Sequence, residues 1–225
     1  MIADTQVLAQ TPLFRGLPPH ALEIAREAFV ARNYPAGKQI FAAGDLGGAL
    51  YIVQSGRVRI YRTYLDGRER MFAYLNPGDV FGEMSLLDEE PRSASAEMVE
   101  EGVLLALYQE GYWTLIRRFP EVLHNLASIL ARRLREADLE LEILSFEEAR
   151  GRVAYALLKL KRQRFADGGR MRLTHLELAQ LSGTSRETVT RVLHALRDEK
   201  LIRMGNGYIE ILDDQGLEEV LFGIR

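Results

Sequence analysis

A chain of 225 residues, 47% of them hydrophobic and with a formal charge of −3, has the material for one large domain or two small ones. It contains no cysteine, which excludes disulfides, Fe–S clusters and thiolate metal sites. The four histidines, His20, His124, His175 and His194, form no His-x-x-x-His pair, and no run of 18 apolar residues or basic-then-apolar leader occurs. The composition therefore points to a cytoplasmic protein with no metal and no membrane partner.

Near the N-terminus, Pro18-Pro19 followed by Leu22, Ala25 and Phe29 on one side predicts a short helix. From Asn33 to Leu107 the period changes. β-rich runs at 49–53, 58–64, 70–75 and 103–107 alternate with turn signals such as Pro35-Ala36-Gly37, Ser55-Gly56 and Pro77-Gly78-Asp79. Short strands at this spacing predict an all-β sandwich or barrel. Asp66-Gly67 between two of the runs is a strong hairpin signal.

The stretch FGEMSLLDEEPRSASA at 81–96 sets one arginine and one hydroxyl, Arg92 and Ser93, on a turn of small residues shortly after Gly82-Glu83. A loop that catches a small anion has this composition, and so does an ordinary polar turn.

Around Glu110 the pattern becomes helical. After Pro120, Leu123, Leu126, Leu130, Leu134, Ala137, Leu141 and Leu144 follow at steps of 3, 4, 4, 3, 4 and 3, a heptad seam. The seam predicts a homodimer through residues 123–144; the competing reading is a long helix packed on its own domain. Its end near Ser145–Gly151 divides the chain into residues 1–109, 110–145 and 146–225. A further helix carries Val153, Ala156, Leu157 and Leu160 and closes at Asp167-Gly168-Gly169.

Charge is unevenly spread. Arg150 to Arg203 holds 13 Lys and Arg against 5 Asp and Glu, whereas Met1 to Ser145 holds 15 against 20. A basic C-terminal part on an acidic body suits a polyanion. Within it, residues 174–194 read THLELAQLSGTSRETVTRVLH. Thr174 with Glu177 is a capping box. Gly183 sits where a tight turn needs φ > 0, and Thr184 or Ser185 caps the next helix. Ala179 four before Gly183, with Val189 and Val192 six and nine after it, completes helix-turn-helix spacing. Val189, Val192, Leu193 and Leu196 are expected in the core, and Arg186, Glu187, Thr190 and Arg191 outside. Arginine reads a guanine edge and glutamate accepts from cytosine N4. Thr174 and Ser185, at helix starts, suit phosphates. A hairpin over 202–211 reads as a wing.

The run Ser185-Arg186-Glu187-Thr188-Val189-x-Arg191 resembles the recognition helix of the CRP/FNR family, cyclic AMP receptor proteins in particular. The similarity extends from Tyr34-Pro35-x-Gly37 through Tyr74-Leu75-x-x-Gly78-Asp79 to the wing. It implies an α+β architecture: an N-terminal β-roll of the cyclic-nucleotide-binding jelly-roll type, a long dimerisation helix and a C-terminal winged helix-turn-helix. It further implies that Arg186, Glu187 and Arg191 read TGTGA-type half-sites of a palindrome in double-stranded DNA, with RNA polymerase as a partner.

The same resemblance makes 81–96 a phosphate-binding cassette for cyclic AMP. Gly82 would allow close approach, and a short helix would turn its N–H groups to the phosphate. Arg92 and Ser93 would hold that phosphate, and Glu83 the ribose 2′-OH. Asp88, Glu89 and Glu90 would form an exposed rim. Arg133 and Asp138 would reach the ligand from the dimer helix, where Ala137 cannot bond an adenine amine and Asp138 can. A regulator that needs no effector, controlled by its abundance, is the alternative within the fold. Haem would need an axial histidine, and none lies between Asn33 and Leu107. An enzyme is disfavoured, since the sequence shows no Ser–His–Asp set, metal cluster or P-loop.

Overall fold

The computed structural model describes residues 5–146, 148–162, 166–167, 170–205 and 207–224. The chain divides into two compact units, residues 1–62 with 75–135, and residues 63–74 with 136–225.

The first unit opens with α1 (Thr5–Gln10), a 3₁₀ turn at Pro12–Phe14 and α2 (Pro19–Ala28). Proline at the first position of α2 suits a helix start, because that N–H has no intrahelical partner anyway. Leu22 and Ala25 are buried on α2. Phe29, expected on the same helix face, instead opens β1 (Phe29–Tyr34), where a buried strand position also accepts it.

The strands that follow are β2 (Gln39–Phe41), β3 (Ala49–Val53), β4 (Arg57–Thr63), β5 (Glu69–Leu75) and β6 (Val80–Phe81). After α3 (Met84–Leu87) come β7 (Ser95–Glu100) and β8 (Gly102–Tyr108). They form two four-stranded sheets, ordered β1-β8-β3-β6 and β2-β7-β4-β5. Strand β8 pairs antiparallel on both edges, with Leu105 facing Ala31 on one side and Ile52 on the other. Leu104 to Leu107 are all buried, which is why this strand reads as a continuous apolar run and not an alternation. The Asp66-Gly67 hairpin forms: Gly67 has φ +80°, and Tyr64 N–H donates to the Arg68 carbonyl at 2.9 Å.

Helices α4 (Gln109–Arg118) and α5 (Glu121–Phe146) separate at Phe119-Pro120. Helix α5 contributes Val122, Leu126 and Ile129 to a core shared with Phe14, Leu50, Leu105 and Tyr112. Of the heptad seam, Leu126 joins this core, while Leu123, Leu134, Ala137 and Leu141 are exposed.

The second unit contains the end of α5, α6 (Ala149–Arg162), β9 (Ala166–Asp167), β10 (Arg170–Met171), α7 (His175–Ser182) and α8 (Arg186–Asp198). β11 (Ile202–Gly205), β12 (Tyr208–Ile211) and α9 (Asp214–Leu221) complete it. Its sheet runs β11-β12-β10-β9. The expected helix closure at Asp167-Gly168-Gly169 and the wing turn at Asn206 lie partly outside the described residues.

The hairpin tip, residues 63–74, belongs to this unit. Glu140 accepts from both Arg70 and Lys159, at 3.0 and 2.9 Å, and the Tyr74 hydroxyl donates to Glu177 at 2.8 Å. Beside them the Tyr155 phenol is pushed up to about 12, first by burial and then by Glu140 and Glu136.

Candidate ligand pocket and nucleic-acid interface

The first site is built where β6 runs into α3 through Gly82. This glycine has φ +75°, and a Cβ there would lie 2.7 Å from Arg92 Nη1. The backbone turn and the close approach of the guanidinium both require its missing side chain. Arg92 is only 7% exposed. Its Nη1 and Nη2 donate to the carbonyls of Gly82 and Ala49 at 2.5 and 2.8 Å. The guanidinium also lies 4.3 Å from the centroid of the Phe41 ring, whose face attracts cations. No carboxylate comes within ion-pair distance of it among the described residues, and Nε has no partner. Burial pulls its pKa below the usual arginine value, opposed by Tyr51, Glu83 and Asp45. A buried cation held by neutral groups alone is costly, and an anion would relieve that cost.

Two further buried polar atoms lie in the same cassette without partners, Glu83 Oε2 and Ser85 Oγ. The other Glu83 oxygen accepts from Arg133 Nη1 at 2.7 Å, and Arg133 Nη2 also donates to the Val80 carbonyl. Gly47 closes the cradle: a Cβ there would stand 2.0 Å from Ser85 Oγ and 2.8 Å from Arg92 Cζ. The sequence reading missed Gly47, Phe41 and Tyr51, because only the fold brings them beside Arg92, more than forty positions away; it also passed over Ser85, within the same short stretch as Glu83 and Arg92.

Ser93 is exposed, with its hydroxyl 3.8 Å from Met84 Sδ. Asp88, Glu89 and Glu90 are exposed as expected. The structure thus brings together Gly82, Glu83, Arg92 and Arg133. Asp138 belongs to the second unit, where its exposed carboxylate has no partner among the described residues.

The second site lies on α7, α8 and the wing. Thr174 Oγ1 accepts from Glu177 N–H at 3.2 Å, and Glu177 Oε2 accepts from Thr174 N–H at 2.6 Å, so the capping box is complete. Gly183 ends α7 at φ +61°, and Ser185 caps α8 by accepting from Thr188 N–H. Val189, Val192, Leu193 and Leu196 are buried, which fixes the rotation of α8 about its axis. Arg186, Glu187 and Arg191 are consequently exposed. Its own backbone N–H first, and then the Ser185 hydroxyl, hold the exposed Glu187 carboxyl below its ordinary value. Thr190 is half-buried and its hydroxyl is engaged internally, with the Arg186 carbonyl and with His175.

Between the start of α7 and the wing runs a groove of about 710 Å³, lined among others by Arg172, Thr174, His175, Arg186, Gly205 and Tyr208. Gly205 is needed there, since a Cβ would meet the Tyr208 ring at 2.0 Å. Arg170 lies over that ring at 4.8 Å. Among the described residues no group of His, Cys, Asp and Glu could hold a metal ion, and no helix is long and apolar enough to cross a membrane.

Comparison with known proteins matches residues 31–119 to a cyclic nucleotide-binding domain and residues 151–220 to a Crp-like helix-turn-helix domain. Over 214 residues the chain is 60% identical to a cyclic AMP receptor protein of Thermus thermophilus, covering 95% of this chain and 98% of that protein. The crystal structure of the Thermus thermophilus catabolite activator protein is similar with a TM-score of 0.58 at 60% identity, over 96% of this chain and 100% of that one. A c-di-GMP-responsive global regulator from Xanthomonas campestris aligns with a TM-score of 0.75 at 26% identity, over 86% of this chain and 99% of that one.

Proposed function

Because the chain belongs to the CRP/FNR family of DNA-binding transcriptional regulators, we propose that it is a homodimer gated by a cyclic nucleotide, cyclic AMP before others, and that it reads a palindrome of two TGTGA-like half-sites. The observation that carries the ligand reading is Arg92, a buried guanidinium with carbonyl partners and, among the described residues, no counter-ion. The orphaned Glu83 Oε2 and Ser85 Oγ and the space kept by Gly47 and Gly82 fit a small, polar, anionic guest. In this reading residues 1–109 are the sensor, 110–145 carry dimerisation and 146–225 bind DNA.

Arg92 holds the cyclic phosphate with charge-assisted bonds, and Ser93 adds a hydroxyl donor. Glu83 accepts from the ribose through the oxygen that Arg133 leaves free. Arg133 stands on α5, so any change in its bond to Glu83 is felt by the helix that bears the exposed leucines. Asp138 is assigned to the base. The exposed Leu123, Leu134 and Leu141 form the dimer seam. The ligand shifts the dimer towards a state whose α8 helices stand about 34 Å apart, one turn of DNA.

At the operator, Arg186 and Arg191 read guanine edges and Glu187 accepts from cytosine, while Thr174 and Ser185 meet phosphates. RNA polymerase is the further partner, and the cytoplasm the place of action. Support for cyclic AMP comes from the name of the Thermus relative, and for another cyclic nucleotide from the Xanthomonas structure.

Calorimetric titration with cyclic AMP, cyclic GMP and c-di-GMP tests the gate, followed by operator binding with and without the nucleotide that binds. Heat with cyclic AMP and tighter operator binding are expected. No heat with any of the three, alongside full operator binding, establishes the effector-free alternative instead.

A further inference from the structure

His175, which the sequence reading left unassigned, stands at the first position of α7 and lines the groove between that helix and the wing. Its Nδ1 lies 2.8 Å from Thr190 Oγ1. The same hydroxyl lies 3.0 Å from the Arg186 carbonyl. With its one proton on that carbonyl, the hydroxyl accepts from Nδ1, and Nε2 of the neutral ring is a lone pair. Nε2 has no partner among the described residues, and the protonated ring donates from both nitrogens.

The surroundings suit an incoming anion. From the strand side the groove presents Arg172, from α8 it presents Arg186, and from the wing Tyr208, with Arg170 over its ring. Among the described residues one carboxylate lines the groove, Glu177, and it is engaged by Thr174 N–H, the Thr174 hydroxyl and the Tyr74 hydroxyl. Neutral His175 would turn a lone pair towards a phosphate oxygen, which repels it, whereas the imidazolium would add both a charge and an N–H.

We propose that His175 makes DNA binding proton-linked: each protomer takes up a proton at this ring when a backbone phosphate enters the groove. Thr190 is the positioning residue that fixes the tautomer. The inference rests on reading this face as the DNA interface. The sign is set by linkage. Bound phosphate raises the proton affinity of the ring, so the gain in DNA affinity is complete below the pKa of the free protein's ring. It is lost as pH rises through the pKa of the bound ring. The contact is to backbone, so it acts alike on any sequence.

The test is fluorescence anisotropy of the full-length protein at constant ionic strength, from about pH 6 to about pH 8. It uses a TGTGA palindrome and a scrambled duplex of equal length, each with and without cyclic AMP. Wild type should bind both duplexes more tightly as pH falls, by at most about tenfold per pH unit per half-site, the limit for one proton. His175→Gln should flatten the profile of both duplexes, and His175→Arg should flatten it at the tight, low-pH affinity. His194→Gln, a change to an exposed histidine elsewhere on α8, should keep the wild-type slope. Thr190→Val, which lets the neutral ring move its proton to Nε2, should give a shallower slope. A wild-type profile without slope, or the same slope in His175→Gln, overturns the proton link while leaving the DNA interface standing. Absence of binding to either duplex at every pH overturns both.

Discussion

Replacing Arg92 by methionine separates the ligand role of this side chain from its structural one. Methionine keeps a long unbranched chain against Phe41 and removes the charge. The guanidinium has five N–H donors, of which one is spent on Gly82 and one on Ala49. Enough remain for two bonds to a cyclic phosphate. Hydrogen bonds to charged groups contribute about 1.5–3 kcal/mol each, so the pair amounts to about 3–6 kcal/mol, a loss of roughly 10²–10⁴ in nucleotide affinity. Solvent screens little of this, because Arg92 is only 7% exposed. The unliganded protein should suffer far less, since two bonds to carbonyls are lost but a buried charge without a counter-ion goes with them. Titration calorimetry reads the affinity. Thermal denaturation with excess nucleotide reads the stabilisation, about 2.7 kcal/mol at a hundredfold excess over Kd in wild type and at most about 0.4 kcal/mol in the variant at the same concentration. A variant that binds cyclic AMP within about threefold of wild type, or about 0.65 kcal/mol, refutes the assignment of the phosphate to Arg92.

Gly82→Ala adds a Cβ at φ +75° and 2.7 Å from Arg92 Nη1; it should lower stability by about 1–2 kcal/mol and nucleotide affinity further, both read by calorimetry. Thr174→Ala removes the capping-box hydroxyl and should cost about 1 kcal/mol in denaturant unfolding. Arg186→Ala should weaken operator binding by about 1–3 kcal/mol and relax one base position; uniform weakening over all sequences would show that it meets only phosphate. Leu134→Glu places a charge in the exposed seam and should yield a monomer in sedimentation equilibrium, with an unchanged dimer as the result that removes α5 from the interface.

What the sequence made legible follows from how local each cause is. The helix-turn-helix was readable because its capping box, its φ > 0 glycine and its buried valines all fall within twenty residues. The β8 run was readable because both its faces are covered. Strand β7 was not, since Ser95–Glu100 reads SAEMVE and only its pairing with β2 and β4 makes it a strand. Phe29 satisfied a helical period by coincidence, and the pairing of Phe29 with Leu107 took it into β1. In the pocket, Gly82, Glu83, Ser85 and Arg92 are neighbours in sequence, but Gly47 declares itself only when the loop before β3 meets Ser85 and the guanidinium. Thr190 stood on the outward side of α8 by period alone. Its hydroxyl turns back to the Arg186 carbonyl and to His175, a preference of threonine that periodicity does not record.

The heptad pattern is only partly absorbed by the protomer's own core. Along α5 the apolar residues divide: Val122, Leu126 and Ile129 are buried in the protomer's own core, and Leu134, Ala137 and Leu141 are not. Arg133, bonded to Glu83, sits immediately before the first of these exposed positions past the core. On the proposed reading, a nucleotide that alters this bond acts on the helix at the point where its buried positions give way to exposed ones. Moving a dimer from 1:99 to 99:1 takes about 5.5 kcal/mol of differential affinity. One charge-assisted bond formed or lost at Glu83 contributes about 1.5–3 kcal/mol, and a dimer has two such sites, so the sum of about 3–6 kcal/mol reaches the requirement only near its upper end. Both sites must then be filled for a full response, and a singly liganded dimer, holding half of the required free energy, should stand near an even balance of the two states.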